Sequence, residues 1–228
     1  MIGIKLEKLY KLPHLLVGIF ASLFILNLMT IIITQTTDHN LIYGLIPQFD
    51  FDMENNIPTY FSSVNLLICA LLVFSIYQSH KKRNMFDSRY WFFLSILFLY
   101  LSIDESASIH EMLIRPMRDS FNLSSGWFFY PWVIPAIIIC FILALFFLKF
   151  YLSLPSRYRF LFGLAAALFI GGAIGMEIID GFVVAGTSGV NLTTRLLITL
   201  EETLEMAGVI IFIYALIDYM KSETQSRQ

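Results

Sequence analysis

The sequence predicts an all-α polytopic membrane protein, a single bundle of six transmembrane helices with both termini in the cytoplasm. Apolar residues make up 57% of the chain and charged residues 14%, whereas a soluble domain has about 45–50% apolar and about 25% charged residues. The mean hydropathy is +0.73. Apolar runs of about 20 residues, enough to cross a bilayer, recur along the chain. We therefore treat residues 1–228 as one transmembrane domain.

Six apolar segments, each bounded by charged residues, prolines or polar clusters, are the predicted spans. The first imitates a secretory signal because Lys5, Lys8 and Lys11 precede it, but its apolar stretch is long and no good cleavage site follows. We therefore expect it to remain as an uncleaved first helix. The six spans cover residues 13–34, 57–78, 89–113, 129–150, 158–184 and 193–219.

Aromatic residues mark the predicted ends of two spans. Tyr90 and Trp91 open the third span, and Trp127, Tyr130 and Trp132 open the fourth. Aromatic rings are enriched at the membrane–water interface, so their positions agree with the span boundaries.

The fifth span has a row of small residues, which favours close packing. Ala167, Gly171 and Gly175 recur every four residues, beside Gly163 and Gly172. Small residues on one face let helices approach closely in a membrane. This row is predicted to contact another helix and is given no catalytic role.

Basic residues predict the orientation. Twelve of the 15 Lys and Arg residues lie at the termini or in the second and fourth loops. Because cytoplasmic loops are enriched in basic residues, both termini are predicted to lie inside and the acidic first loop, with Asp38, Asp50, Asp52 and Glu54, outside. The twelve are Lys5, Lys8, Lys11, Lys81, Lys82, Arg83, Arg89, Lys149, Arg157, Arg159, Lys221 and Arg227, and the other three are Arg115, Arg118 and Arg195.

The lipid bilayer is the partner that this composition implies, and nothing in it favours nucleic acid. The net charge is −2, with no basic tract of the kind that binds phosphate backbones. Cys69 and Cys140 lie in apolar runs without CxxC or Cys/His spacing, so we interpret both as packing residues.

Eight of the 17 acidic residues lie inside predicted spans, with no Lys or Arg among them. A charge at the bilayer centre costs about 2.5–3.5 kcal/mol, so such residues are usually functional. The eight are Asp104, Glu105, Glu111, Glu177, Asp180, Glu201, Glu202 and Glu205.

Helical geometry predicts that these acids converge. At 100° per residue, Asp104 and Glu111 share one stripe of a straight third span, on which no obvious break is predicted. Glu177 and Asp180 are an i, i+3 pair, while the three glutamates of the sixth span share one arc. A rise of 1.5 Å per residue places all eight between the outer interface and the midplane. We therefore expect one polar site that opens to the outside.

His110 is the only histidine inside a predicted span, because His14 begins the first span and His39 and His80 fall in loops. On a straight helix His110 lies about 100° from Glu111 and well away from Asp104. A single intramembrane histidine excludes histidine-box desaturases and alkaline ceramidases, which need several.

The predicted site is a carboxylate-rich divalent-cation site, which we call the acidic cluster. Oxygen ligands suit Ca²⁺, Mg²⁺ or Mn²⁺, and one imidazole would admit Fe or Zn. The expected function is to bind such an ion and to move it or couple it to protons. The cluster comprises Asp104, Glu105, Glu111, Glu177, Glu201, Glu202 and Glu205, with His110 and Asp180 at its edge.

Two other interpretations stay open. Paired acids in a low-dielectric pocket also suit an acid/base or metal-dependent enzyme that acts on a lipid or isoprenoid-like substrate. A structural network of protonated carboxyls between helices, without metal, is the third.

Three segments of the chain resemble a group of uncharacterised bacterial multi-pass membrane proteins. They are residues 101–111, LSIDESASIHE, residues 171–177, GGAIGME, and residues 200–208, LEETLEMAG. The likeness runs from about Pro58 to Tyr219. It implies a multi-pass protein of a bacterial cytoplasmic membrane and assigns no particular chemistry.

Overall fold

The structure is a computed structural model that describes residues 9–37, 41–121, 126–186 and 191–225, and these residues form helices and no strand. The predicted features at Lys5, Lys8, Asp38, His39 and Arg227 lie outside these ranges. The α-helices are α1 (Leu12–Thr36), α2 (Leu45–Phe49), α3 (Ile57–Lys82), α4 (Ser88–Ala107), α5 (Ile114–Phe121), α6 (Val133–Ser153), α7 (Ser156–Ile170), α8 (Glu177–Ala185) and α9 (Leu192–Gln225).

Several helices are long and apolar enough to cross a bilayer, as predicted. Four qualify among the described residues, namely α1, α3, α6 and the continuous run Ser156–Ala185, and a fifth qualifies if α4 and the segment after it are one span. The first, second, fourth and fifth predicted spans coincide with these four helices to within a few residues. The sixth predicted span lies in α9, which is not among the helices that qualify. The 34-residue α9 is longer than a bilayer requires.

Helix α9 is the centre of the bundle. It packs against α1, α3, α7 and α8, and its apolar half carries fully buried side chains such as Ile213 and Leu216. Aromatic rings fill the core at this end, where Trp91 lies 5.0 Å from Phe150 and 5.2 Å from Tyr219 between ring centroids. The acidic half of α9, near its N-terminus, therefore lies at the opposite end of the bundle.

Close helix packing depends on Gly172, which was predicted beside the row of small residues, and on Gly208. A Cβ atom added to Gly171 or Gly175 would meet nothing within 4 Å. One added to Gly172 would lie 2.8 Å from the backbone oxygen of Glu201, and one at Gly208 would lie 2.8 Å from that of Ala165. The prediction that Gly171 and Gly175 contact another helix was therefore wrong. Residues 171–176 form a π-helix, which shifts the register of the residues that follow Gly171.

The predicted straight third span is broken. Helix α4 ends at Ala107, and Ser108 adopts a left-handed backbone conformation with φ 47°. A 3₁₀ turn, His110–Leu113, and helix α5 follow, and the chain bends by 70° between α4 and this segment. The expectation of no broken helix was therefore wrong, because a left-handed residue cannot continue an α-helix.

The prediction that His80 lies in a loop was also wrong. His80 lies in the last turn of α3 and is only 1% exposed. Its Nδ1 atom is 2.8 Å from Oδ1 of Asp87, whose other oxygen accepts a hydrogen bond from the Trp91 indole at 3.2 Å. Burial alone would raise the pKa of Asp87, but these hydrogen bonds outweigh it and lower the pKa.

Candidate acidic site

The acidic cluster is assembled by separate segments that meet at one end of the bundle. The end of α4 supplies Asp104 and Glu105, and the turn beyond the break supplies His110 and Glu111. Helix α8 begins at Glu177 directly after the π-helix. The remaining members are Asp180 on α8 and Glu201, Glu202 and Glu205 on α9.

His110 is bound to Asp104, contrary to the prediction from a straight helix. The imidazole Nδ1 atom lies 2.8 Å from one carboxylate oxygen of Asp104, and the backbone N–H of His110 donates to the other at 3.0 Å. The break at Ser108 turns the chain back and makes both contacts possible. One carboxylate therefore holds the ring and the backbone of the same residue.

The indole of Trp132 connects His110 to Glu177. Its ring lies 4.5 Å from the imidazole, measured between centroids, and its Nε1–H donates to Oε1 of Glu177 at 2.9 Å. Trp132 was predicted only as an interfacial aromatic, and no feature of the sequence indicated that its N–H points at a carboxylate. Both contacts fix the orientation of groups in the cluster.

Glu177 and Glu201 form a carboxyl pair between α8 and α9. Their side chains are close enough to share a hydrogen bond. A hydrogen bond between two carboxyl groups needs a proton on one of them. Gly172 makes the approach possible, because a side chain there would collide with the backbone of Glu201 and with Cγ of Glu205.

Glu202 and Glu205 extend the cluster towards α4. Glu202 lies in electrostatic range of Glu105 and Glu177, and Glu205 in range of both Glu202 and Glu105. As whole residues, Glu105, Glu177, Glu202 and Glu205 are half-buried. The described geometry therefore brings together the acids of the third, fifth and sixth predicted spans.

Glu54, in the segment before α3, is a member that sequence reasoning missed. Its Oε2 atom accepts a hydrogen bond from Ser108 at 3.4 Å, and it lies in range of Glu105 and Glu111. Although Glu54 is exposed as a residue, crowding of its carboxyl by the surrounding protein, followed by repulsion from Glu111, raises the pKa of Glu54 to about 7. Its location in the acidic first loop was the available signal, but no periodicity relates a loop residue to a helix face.

Asp180 is the most deeply buried acid of the cluster, with 2% of its surface exposed. Its Oδ2 atom accepts a hydrogen bond from the Tyr130 hydroxyl at 3.2 Å, while no described residue bonds its Oδ1 atom. Asp52 lies nearby, and burial, then repulsion from Asp50, raises its pKa to about 6 despite the opposing charge of Arg195.

The chain matches a family model described as a domain of unknown function, DUF8692, over residues 16–219. The chain belongs to this family. Neither the curated proteins nor the solved structures contain a match to it. The predicted resemblance to an uncharacterised family is thus supported, and the match begins at residue 16 instead of near Pro58.

In this member of the family, the acidic cluster has one positively ionisable partner within the described part of the chain. His110 pairs with Asp104, whereas the described Arg residues that form ion pairs bind acids outside the cluster, as Arg195 binds Asp50. No three His, Cys, Asp or Glu side chains among the described residues are placed together as ligands of one metal ion. The cluster as described is thus a set of neighbouring carboxyls and not a formed coordination sphere.

Proposed function

We propose that this protein spans the membrane six times with both termini in the cytoplasm, and that its acidic cluster binds a divalent cation in exchange for protons. In this arrangement α9 is the sixth span, the broken α4–α5 segment is the third, and the cluster opens to the outside. The orientation is supported by the distribution of basic residues, and α9 has the length that the sixth span needs.

The observation that carries the proposal is the convergence of carboxyls from separate segments without a Lys or Arg partner in the described structure. Neighbouring carboxylates repel each other in a medium of low dielectric, so protons or a cation must accompany them. The Glu177–Glu201 pair is an arrangement that holds a proton. A hard divalent ion prefers these oxygen ligands and would replace the protons.

Binding requires the carboxyls to turn towards one point, since the described side chains do not already surround an ion. Glu202, Glu205 and Glu105 are neighbours on α9 and α4 and have flexible side chains. Their partial exposure leaves room for rotation. The break at Ser108 also fits transport, because discontinuous membrane helices commonly form ion sites in transporters.

The test is calorimetric titration of the purified protein with Mn²⁺, Ca²⁺ or Zn²⁺, with proton release followed by a pH-sensitive dye. We expect binding accompanied by proton release, both lost in Glu202→Gln/Glu205→Gln. Asp119→Asn is the matched control, because Asp119 is an exposed acid on α5 outside the cluster. A wild-type protein that binds none of these ions, or a double variant that binds as well as wild type, would contradict the proposal.

The His110–Asp104 pair favours a second candidate, an acid/base enzyme that acts on a lipid or isoprenoid-like substrate. A carboxylate that orients an imidazole is a common arrangement of a general base. Trp132 supplies a flat apolar surface beside it. This candidate predicts turnover of membrane lipid that is lost in His110→Gln without any requirement for added cation.

A further inference from the structure

A groove lies between α3 and α4 at the end of the bundle opposite the acidic cluster, and no step of the proposed cation binding uses it. Its volume is about 500 Å³, within the range of small-molecule sites. We call it the α3–α4 groove. It is lined by Phe74, Tyr77, Gln78, Lys81, Lys82 and Phe92.

The aromatic wall of the groove is built by three rings. Tyr77 lies 5.5 Å from Phe74 and 5.1 Å from Phe92, measured between centroids. Phe74 is 39% exposed and Phe92 36% exposed, so the rings face outwards instead of filling the core. A tyrosine near the end of a membrane helix, such as Tyr77, is typical of the lipid headgroup region.

The charged wall is supplied by Lys81 and Lys82 in the last turn of α3. The Lys81 ammonium lies 5.3 Å from the centroid of the Tyr77 ring, which places it over the groove. Both lysines are exposed, and within the described ranges neither forms an ion pair. Neighbouring Arg83, by contrast, is paired with Glu223 at 2.5 Å.

The apolar surface continues from the groove along α3. Leu71 is 59% exposed and Leu67 38% exposed, one and two turns from Phe74 on the same side of the helix. In a membrane this side faces acyl chains. An amphiphile with an anionic head at the lysines and a tail along Leu71 matches both halves of the surface.

We propose that the α3–α4 groove binds one anionic phospholipid, with its phosphate at Lys81 and Lys82 and an acyl chain along the exposed face of α3. Basic pockets between membrane helices commonly bind anionic headgroups. Lysines act there as compact charges that need no fixed geometry of the phosphate. The aromatic wall excludes water on one side and so strengthens the attraction.

The experiment is native mass spectrometry of the full chain after extraction from nanodiscs that contain phosphatidylglycerol and phosphatidylcholine. We expect one retained phosphatidylglycerol per chain and no comparable retention of phosphatidylcholine. Lys81→Gln/Lys82→Gln should weaken retention by roughly 30-fold, the factor for two positive charges near the headgroup. Lys149→Gln/Lys221→Gln removes the same charge from residues outside the groove and should leave retention unchanged.

A further variant tests the shape of the groove independently of its charge. Gln78→Trp puts a large side chain into the lining of the groove without altering any charge, and it should also displace the lipid. The proposal would be overturned if Lys81→Gln/Lys82→Gln and Lys149→Gln/Lys221→Gln lost the same amount of bound phosphatidylglycerol. Equal retention of phosphatidylglycerol and phosphatidylcholine, or unchanged lipid retention in Gln78→Trp, would overturn it too. Displacement of the lipid by inorganic phosphate would identify a free-anion site and would overturn it as well.

Discussion

His110 contacts Asp104 at 2.8 Å across the break between α4 and the 3₁₀ turn that follows it. Two hydrogen bonds to one carboxylate, from the ring and from the backbone of His110, close a loop around Ser108. The loop holds the imidazole beside Trp132, and through Trp132 beside Glu177. The local backbone at Ser108 therefore determines which groups of the acidic cluster can meet.

The left-handed backbone of Ser108 gives the first prediction. Its φ of 47° disfavours a side chain branched at Cβ. Ser108→Val should lower the free energy of unfolding by about 1–2 kcal/mol, whereas Ser108→Gly should keep the wild-type value. Denaturant unfolding in detergent micelles measures both. Equal stability of the valine and glycine variants would mean that residue 108 continues the helix.

The close approach at Gly172 gives the second prediction. Gly172→Ala should destabilise the protein by about 1–3 kcal/mol, because the new methyl group meets the backbone of Glu201 and Cγ of Glu205. Gly171→Ala is the matched control, since nothing lies within 4 Å of its Cβ position. Thermal unfolding of the two variants compares them directly. If Gly171→Ala were the less stable variant, Gly171 would be the contact residue, as the sequence predicted.

Hydropathy predicted α1, α3, α6 and the run Ser156–Ala185 well, because the length of an apolar run is set by the bilayer and is independent of tertiary contacts. The acids of α4, α8 and α9 were also predicted to converge, since a charged face must turn away from lipid. Residues 101–111, by contrast, contain no glycine or proline that would indicate the break at Ser108. Serine rarely adopts a left-handed conformation, so the break depends on the contacts that surround it.

Members of the site outside regular helix faces were missed for a related reason. Glu54 reaches the cluster from a loop, and helical periodicity carries no information about loop residues. Trp132 has an ordinary interfacial position, and its bond to Glu177 depends on how α6 meets α8. Gly172, and not Gly171 or Gly175, makes the contact, and the π-helical turn that shifts the register here leaves no signal in the sequence.

The raised pKa of Glu54 gives the third prediction. With a folded-state pKa of about 7 and an ordinary value of 4.5, the folded protein binds more protons than the unfolded one between these pH values. The contribution of Glu54 to stability is therefore largest below pH 4.5 and is lost as the pH rises to about 7. Glu54→Gln should become more stable relative to wild type across this window, with no further change above it.

The neighbour of Glu54 provides the control for this titration. Glu111→Gln removes the second cause of the raised pKa and leaves the first, which is crowding of the carboxyl by the surrounding protein. In the Glu111→Gln background, the pH range over which Glu54→Gln gains stability relative to its parent should lose its upper part and keep its lower part. Melting temperatures of the four combinations of these variants, measured from pH 4 to 8, are the readout. A difference between Glu54→Gln and wild type that is constant with pH would refute the assignment.

The fourth prediction concerns the ion pair that anchors the segment carrying Glu54. The guanidinium of Arg195 on α9 binds the carboxylate of Asp50 and the hydroxyl of Thr34, and the two ionic side chains are only 11% and 4% exposed. The backbone N–H of Phe51 donates to Asn27 of α1 at 2.9 Å, which fixes the same segment from a second side. The acidic first loop is thus tied to the first and last helices.

Removal of one ion from this pair should cost more than removal of both. Asp50→Leu or Arg195→Met leaves a buried charge without its partner, so each single variant should lose about 3–5 kcal/mol of unfolding free energy. The double variant Asp50→Leu/Arg195→Met removes both charges and should recover most of that loss, because an apolar pair of similar volume is nearly neutral. Unfolding of all four proteins in the same detergent closes the thermodynamic cycle. Additive losses would show that the two side chains do not interact, and the loop that presents Glu54 to the acidic cluster would then be held by Asn27 instead.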